Sequence, residues 1–418
     1  MPKLIFPENF YWGAATSAHQ VEGGNKNDWT EWEFKNAQRL AKSAHKKNWP
    51  DYIANPTNGE FNPLQKENYV SGWAVDHYNR FEEDFEIAKN LGHNAHRFSI
   101  EWSRIEPEQG KFNEKEIEHY RKVIEALKNR GLEPFVTLWH WTNPLWLSEI
   151  GGPKNKKFAF YFARYAQVIV KNFGDLVGFW LTINEPTSVI ANSYFRGVWP
   201  PQEKSFLSVW SVYKNLAEAH NRTYETIHKI NKEAKVGFAN ILHFNEPYNA
   251  KSFLDLIFSK IFHYFSNQKF YNLTGGKNDF LAVNYYFHNK IKFPFYIKNE
   301  NKIVSDLGWE IYPEGIYHIL KNLAQYKLPI YVTENGVADS QDFLRENFIK
   351  EHLRYVHKAI SEGVDVRGYF YWSLLDNFEW DKGFWPRFGL VEINYKTMER
   401  KIRQSAEFYA QVAKNNYL

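Results

Sequence analysis

Short apolar runs, turns and longer amphipathic stretches succeed one another along most of the chain. The runs are FYWGAATSA (10–18), HNAHRFSI (93–100), LEPFVTLWHW (132–141), LVGFWLTIN (176–184), AKVGFANIL (234–242), NDFLAVNYY (278–286), LPIYVTEN (328–335) and VRGYFYWSL (366–374). Each has the length of a strand, and the segments between them have helical spacing. Asn113 followed by Glu116 makes a capping-box pattern, after which Ile117, Tyr120, Ile124 and Leu127 line one face until Gly131. Similar spacing recurs over 80–90, 158–172, 208–231, 343–362 and 402–413. Strands alternating with helices imply parallel βαβ units, and eight of them predict an α/β fold of the (β/α)8 TIM-barrel type with extended βα loops. A doubly wound open sheet also alternates, but it offers a Gly-rich phosphate loop after its first strand; GAATSAH at 13–19 lacks that form. No linker divides the chain, so residues 1–418 are expected to form one catalytic barrel domain.

Two stretches depart from the rhythm. Residues 36–72 are polar and rich in Pro and Asn, and read as a long loop after the first strand. Residues 251–271 carry Leu254, Ile257, Phe258, Ile261, Phe262 and Phe265 at helical spacing. So wide an apolar surface predicts a heavily buried helix or one that meets something besides the barrel: a membrane surface, an apolar ligand or a second copy.

Composition narrows the chemistry. Aromatic residues make up 18% of the 418, enough for a large core. Lys plus Arg number 52 against 48 Asp plus Glu, a net +4 that is too even for an electrostatic nucleic-acid binder. Cysteine is absent, which removes disulfides, thiol nucleophiles and cysteine metal sites. Pro7, Glu8 and Asn9 interrupt the opening residues, and no run of about 18 apolar residues follows, so a cytoplasmic location is expected.

In a barrel of this kind the working residues end the strands. Those ends are Arg97, His140, Asn184 with Glu185, Tyr286, Glu334 with Asn335, and Trp372; His19 and Gln20 close the first unit. Taken singly, Glu185 before Pro186 is a strand stopping at a rigid turn, and VTENG is a turn needing Gly336. Together, two carboxylates ending strands four and seven, among aromatics and amides, meet the needs of glycoside cleavage. One is held protonated to expel the leaving oxygen; the other stays ionised to attack or stabilise the sugar cation.

These residues also carry a resemblance. The chain resembles glycoside hydrolase family 1, the β-glucosidase and β-galactosidase family, in its FPENFYWGAATSAHQVEG opening, in TINEP (182–186), YVTENG (331–336) and YFYWSLLDNFEW (369–380), and in its FGLVEINYKTMER close. The resemblance implies a cofactor-free, metal-free retaining double displacement on β-glucosyl or β-galactosyl residues of small glycosides or short oligosaccharides. It makes Glu185 the acid/base and Glu334 the nucleophile, with Arg97 and Tyr286 beside the nucleophile. Their carboxyls should then lie about 5–5.5 Å apart. The guanidinium of Arg97 is expected to keep Glu334 ionised while burial raises Glu185. Gln20, His140, Asn184, Glu379 and Trp380 would bind sugar hydroxyls, and Trp372 would stack beneath the ring. A carboxylate at Glu379 is further expected to repel a 6-phosphate. The stretch from strand five to strand six (about 243–279) is shorter than the family norm, which predicts a more open cleft. A transglycosylase using the same intermediate, and a non-catalytic sugar- or apolar-ligand-binding barrel, are the alternatives.

Overall fold

A computed structural model describes residues 3–56 and 61–418. The eight expected strands form at Tyr11–Ala15 (β1), Ala95–Ser99 (β2), Glu133–Trp139 (β3), Phe179–Asn184 (β4), Lys235–Pro247 (β5), Leu281–Lys292 (β6), Ile330–Asn335 (β7) and Val366–Trp372 (β8). Each pairs in parallel with the next, and β8 returns to β1 with Tyr11 opposite Gly368 and Ala15 opposite Trp372. The sheet is therefore a closed barrel, ringed by helices such as Glu114–Asn129, Phe158–Phe173, Phe206–Ile230 and Arg345–Ser361. No helix among the described residues is long and apolar enough to cross a membrane.

Helix starts follow the small polar residues of the sequence. Asn113 accepts from the Lys115 N–H and Ser205 from the Ser208 N–H, each satisfying a first-turn donor. The capping box is only half made, because Glu116 turns away to the Tyr78 hydroxyl (3.2 Å) and Arg104. At the N-terminal end the barrel is filled by Tyr11, Phe135, Phe179, Phe280, Tyr331 and Phe370. The Phe135 and Phe179 rings stack at 4.2 Å. This aromatic plug seals the floor and leaves the C-terminal strand ends as the open face.

The long loop expected over 36–72 begins inside a helix, and its other described residues are an irregular connection carrying the short turns Asp51–Ala54 and Lys66–Tyr69. Its first part belongs to the helix Asp28–Ala44, capped by Asn27 and buried through Trp29, Trp32, Asn36, Ala37, Ala41 and Ala44. Polar spacing hid that helix because only one narrow face is apolar. Residues 57–60 of the expected loop lie outside the described residues. Further on, the turn Lys66–Tyr69 delivers Asn68 to the segment after β8.

The apolar 251–271 stretch also differs from the buried-helix expectation. The helix Phe253–His263 turns Asp255 and Ser259 inward, and none of its Leu, Ile or Phe side chains is buried. Asp255 explains the choice of face, since it accepts the backbone N–H groups of Asn249 (3.2 Å) and Phe293 (2.9 Å). The helix is thus tied by polar contacts to β5 and β6, which run on past the rim of the barrel.

Candidate active site

The open end of the barrel holds a cavity of about 250 Å³ lined by His140, Glu185, Tyr286, Glu334, Trp372, Glu379 and Trp380, among others. Seven of the residues singled out from the sequence therefore meet in one place. Arg97, Asn184 and Gln20 are fully buried just behind its wall. His19 and Asn335 do not join it. His19 pairs with Glu33 at 2.6 Å and stacks under Trp380, and Asn335 is held between Tyr285 O and the Tyr369 hydroxyl.

Glu334 ends β7, where its Oε1 accepts from Arg97 Nη1 (2.5 Å) and its Oε2 from the Tyr286 hydroxyl (3.0 Å). The turn beyond it needs Gly336, because a Cβ there would lie 1.8 Å from the Trp372 carbonyl oxygen. Glu185 leaves β4 in the left-handed region (φ 42°), a conformation that a non-glycine residue adopts at some energetic cost and that recurs at working sites. Its Oε1 accepts from Asn284 Nδ2 (2.7 Å) and its Oε2 from the Ser188 hydroxyl (2.8 Å).

The two carboxyls differ in company. Burial, with the charge of Glu334 added, pushes Glu185 up to about 8, against the smaller effects of Asn284, Ser188 and Arg97. Burial raises Glu334 as well, but the adjacent guanidinium and the Tyr286 and Asn284 hydrogen bonds oppose it. The expectation that Arg97 keeps Glu334 ionised is thus qualified. Desolvation is the larger effect, and Arg97 limits it. On titration from acid, Glu334 is placed to ionise first and Glu185 to keep its proton.

Asn184 connects the pieces. Arg97 Nη2 (2.7 Å) and Asn284 Nδ2 (3.1 Å) both donate to its Oδ1, which fixes the amide's orientation. Asn184 Nδ2 must then donate to His140 Nε2 (3.0 Å), so the proton of the His140 ring sits on Nδ1, which is buried without a partner among the described residues. Burial and Arg97 hold His140 well below the usual imidazole range, so the ring is neutral.

Comparison with known proteins identifies the family. The sequence pattern of glycosyl hydrolase family 1 matches residues 3–275 and 263–418. Beta-glucosidase A of Thermotoga maritima is 35% identical over 99% of this chain and 98% of its own length. The chain belongs to glycosyl hydrolase family 1. A β-galactosidase of Pyrococcus woesei is 30% identical over 99% of this chain and 98% of that protein. Among solved structures, a β-glycosidase from Pyrococcus horikoshii superposes with a TM-score of 0.88 at 35% identity, covering 100% of this chain and 96% of that one. The Thermotoga maritima β-glucosidase in complex with glucoimidazole gives 0.87 at 33% identity, covering 99% and 100%. The chain is a glycoside hydrolase, and the family is a retaining one.

Two details of the family 1 site depart from the sequence reading. Desolvation, Asp381 and Glu334 push the carboxyl of Glu379 up to about 8, so its charge at neutral pH is reduced. The expected repulsion of a 6-phosphate is correspondingly weaker at neutral pH. Lys382, at the mouth, is neutralised by Asp381. Second, Asn284 and Ser188 touch the acid side chain yet escaped notice. Period-two alternation gave a signal for Asn284, which precedes the strand-end residue Tyr286 by two and shares its side of β6. Ser188 gave none.

Proposed function

We propose that this family 1 hydrolase removes terminal non-reducing β-D-glucosyl or β-D-galactosyl residues from small glycosides and short oligosaccharides by double displacement, and that residues 1–418 act as one catalytic barrel. Glu334 is the nucleophile and Glu185 the general acid and base. The observation that carries this assignment is the asymmetry of partners. Arg97 and Tyr286 both donate to Glu334, whereas Glu185 has only neutral donors and is raised to about 8.

In the first step a Glu334 oxygen bonds to the anomeric carbon as the bond to the aglycone breaks, and Glu185 gives its proton to the departing oxygen. Esterification removes the charge of Glu334, one of the two causes that hold the Glu185 pKa up. Glu185 therefore becomes more acidic when it must act as a base. It then takes a proton from water as that water attacks the anomeric carbon, and Glu334 leaves as carboxylate.

Gln20, His140, Asn184, Tyr286, Trp372, Glu379 and Trp380 form the sugar subsite, with Arg97 supporting. His140 lines the cavity with a neutral ring. Trp372 and Trp380 lie nearly parallel to the His140 ring, giving flat surfaces for a pyranose. A partly protonated Glu379 both donates and accepts, which suits a neutral hydroxyl. The relatives are named for both glucosides and galactosides, which supports the pair of sugars, and their names are hydrolase names, which favours water over a sugar acceptor.

Azide separates the roles. With a nitrophenyl β-glucoside, Glu334→Ala is expected to lose turnover and regain it with azide as the α-glycosyl azide. Glu185→Ala is expected to yield the β-azide and to spare substrates with good leaving groups. Exchange of the two stereochemistries would reverse the assignment.

A further inference from the structure

The outward face of the helix Phe253–His263 has no role in the chemistry above. Phe253 is 73% exposed and Ile261 38%, and Phe265 in the following turn is 48% exposed. Beside it β6 turns back into a two-residue strand, Tyr296–Ile297, whose Tyr296 is 62% exposed. The Phe258 ring meets Phe293 at 4.8 Å and Phe295 at 4.5 Å, so helix and hairpin form one surface. Contiguous apolar surface of this kind marks an interaction site.

Charge says what covers it. Residues 248–269 and 290–298 contain six lysines (Lys251, Lys260, Lys269, Lys290, Lys292 and Lys298) and one carboxylate, Asp255. Asp255 is buried and occupied by two backbone N–H groups, so it offsets nothing at the surface. Of the lysines, Lys290 is paired with Glu300 and Glu246, which lie just outside these segments. Lys269 and Lys292 lie over the rings of Trp210 and Tyr248, with their stems along apolar surface. An aromatic and aliphatic face rimmed by lysine is complementary to a sheet of negative headgroups above hydrocarbon. A second copy of the chain would set lysine against lysine across a two-fold axis.

We propose that the surface formed by the helix Phe253–His263 and the hairpin 291–297 docks the protein on an anionic lipid bilayer. The docked face flanks the mouth of the cleft. Phe287, which lines the cavity, meets His243 at 5.3 Å, and His243 meets Phe262 of the helix at 6.3 Å. The lipid surface is thereby held alongside the opening, and no residue of the sugar subsite is covered.

The test is co-sedimentation of the purified full chain with vesicles of phosphatidylcholine alone or mixed with phosphatidylglycerol. The chain is expected to pellet with the mixed vesicles, to be released by high salt, and to remain in solution with phosphatidylcholine. Replacing Lys251 and Lys260 by Glu should weaken binding by about fivefold or more per lysine. Leu254→Ser combined with Ile261→Ser should weaken it at every salt concentration. Both variants should cleave a soluble nitrophenyl glucoside at the wild-type rate, which shows that they are folded. As a second readout, the fluorescence that Phe253→Trp adds to the wild-type signal should be quenched by brominated acyl chains. Failure to pellet, pelleting that ignores headgroup charge, or added fluorescence that escapes quenching would overturn the proposal. So would a stable dimer that these substitutions dissociate.

Discussion

Ser188 reaches the carboxyl of Glu185 from the first turn after β4, and its hydroxyl donates to Oε2 at 2.8 Å. A donor to the carboxylate stabilises the ionised form, so it lowers the Glu185 pKa against the burial that raises it to about 8. In Ser188→Ala the alkaline limb of kcat/KM is expected to move to higher pH by about one pH unit, with the acid limb unchanged. A pH–rate profile of the two proteins checks this, and a limb that moves down would show that the hydroxyl acts on the neutral form. At this scale the sequence was informative about residue type and silent about surroundings. Glu185 and Glu334 are carboxylates where a barrel strand ends, and that alone makes them conspicuous. Asn284 and Ser188 are small polar residues whose importance lies only in a distance of 2.7 or 2.8 Å to Glu185. The upward shift of Glu379 likewise comes from desolvation and neighbouring carboxylates, which a string of letters does not contain.

Among the elements, the polar stretch after β1 gains a purpose. Asn68 donates to the Lys382 carbonyl (2.8 Å) and accepts the N–H groups of Phe384 (3.0 Å) and Trp385 (2.9 Å). Phe61 stacks on Phe384, and Trp49 packs edge-on against Trp385. Two aromatic contacts and one amide therefore brace the segment that presents Glu379 and Trp380 to the cavity. Asn68→Ala leaves three backbone groups without these partners. It is expected to raise KM several-fold while kcat changes little, because the sugar contacts loosen and the two catalytic carboxyls do not. Steady-state kinetics on a nitrophenyl β-glucoside gives the comparison; an unchanged KM would make the contact purely structural. The sequence expectation of a loop here missed the helix at its start for a definite reason. The helix Asp28–Ala44 buries a narrow face of Trp, Asn and Ala, and the partners that stabilise the rest lie more than 300 residues away. The opposite error at Phe253–His263 has the same origin. Apolar spacing announces an amphipathic helix, but which face turns inward was decided by Asp255 and two backbone N–H groups, one nearby at Asn249 and one distant at Phe293.

For the molecule as a whole, the alternation of eight strands with helices was legible because closure of a barrel depends on count and order, both of which are written in the chain. What holds the last turn of the barrel is less visible. Asp376, beyond β8, accepts from both terminal nitrogens of Arg403 (2.9 Å each), from Arg387 (3.2 Å) and from the Gly389 N–H (2.9 Å). Burial opposes its ionisation, but the two arginines prevail and hold it below the usual carboxylate range. A depressed folded value means stability that is present above the unfolded pKa and is lost as pH falls through the folded one. Asp376→Asn is therefore expected to cost about 3–5 kcal/mol at neutral pH, since it leaves a buried guanidinium without its counter-charge. The cost should shrink in acid, where wild type loses the same contribution. Denaturant melts at neutral and acid pH give both numbers, and an equal deficit at the two would refute the assignment. The plugged floor of the barrel has its own consequence. A channel stopped by Tyr11, Phe135, Phe179, Phe280 and Tyr331 offers one doorway for everything that comes and goes. A chain cannot thread through such a dead end, so in the proposed reaction the terminal sugar enters and leaves by the open face. The detached alcohol, nearer the doorway, departs first, and the liberated monosaccharide is last out, competing with each new arrival for the same berth.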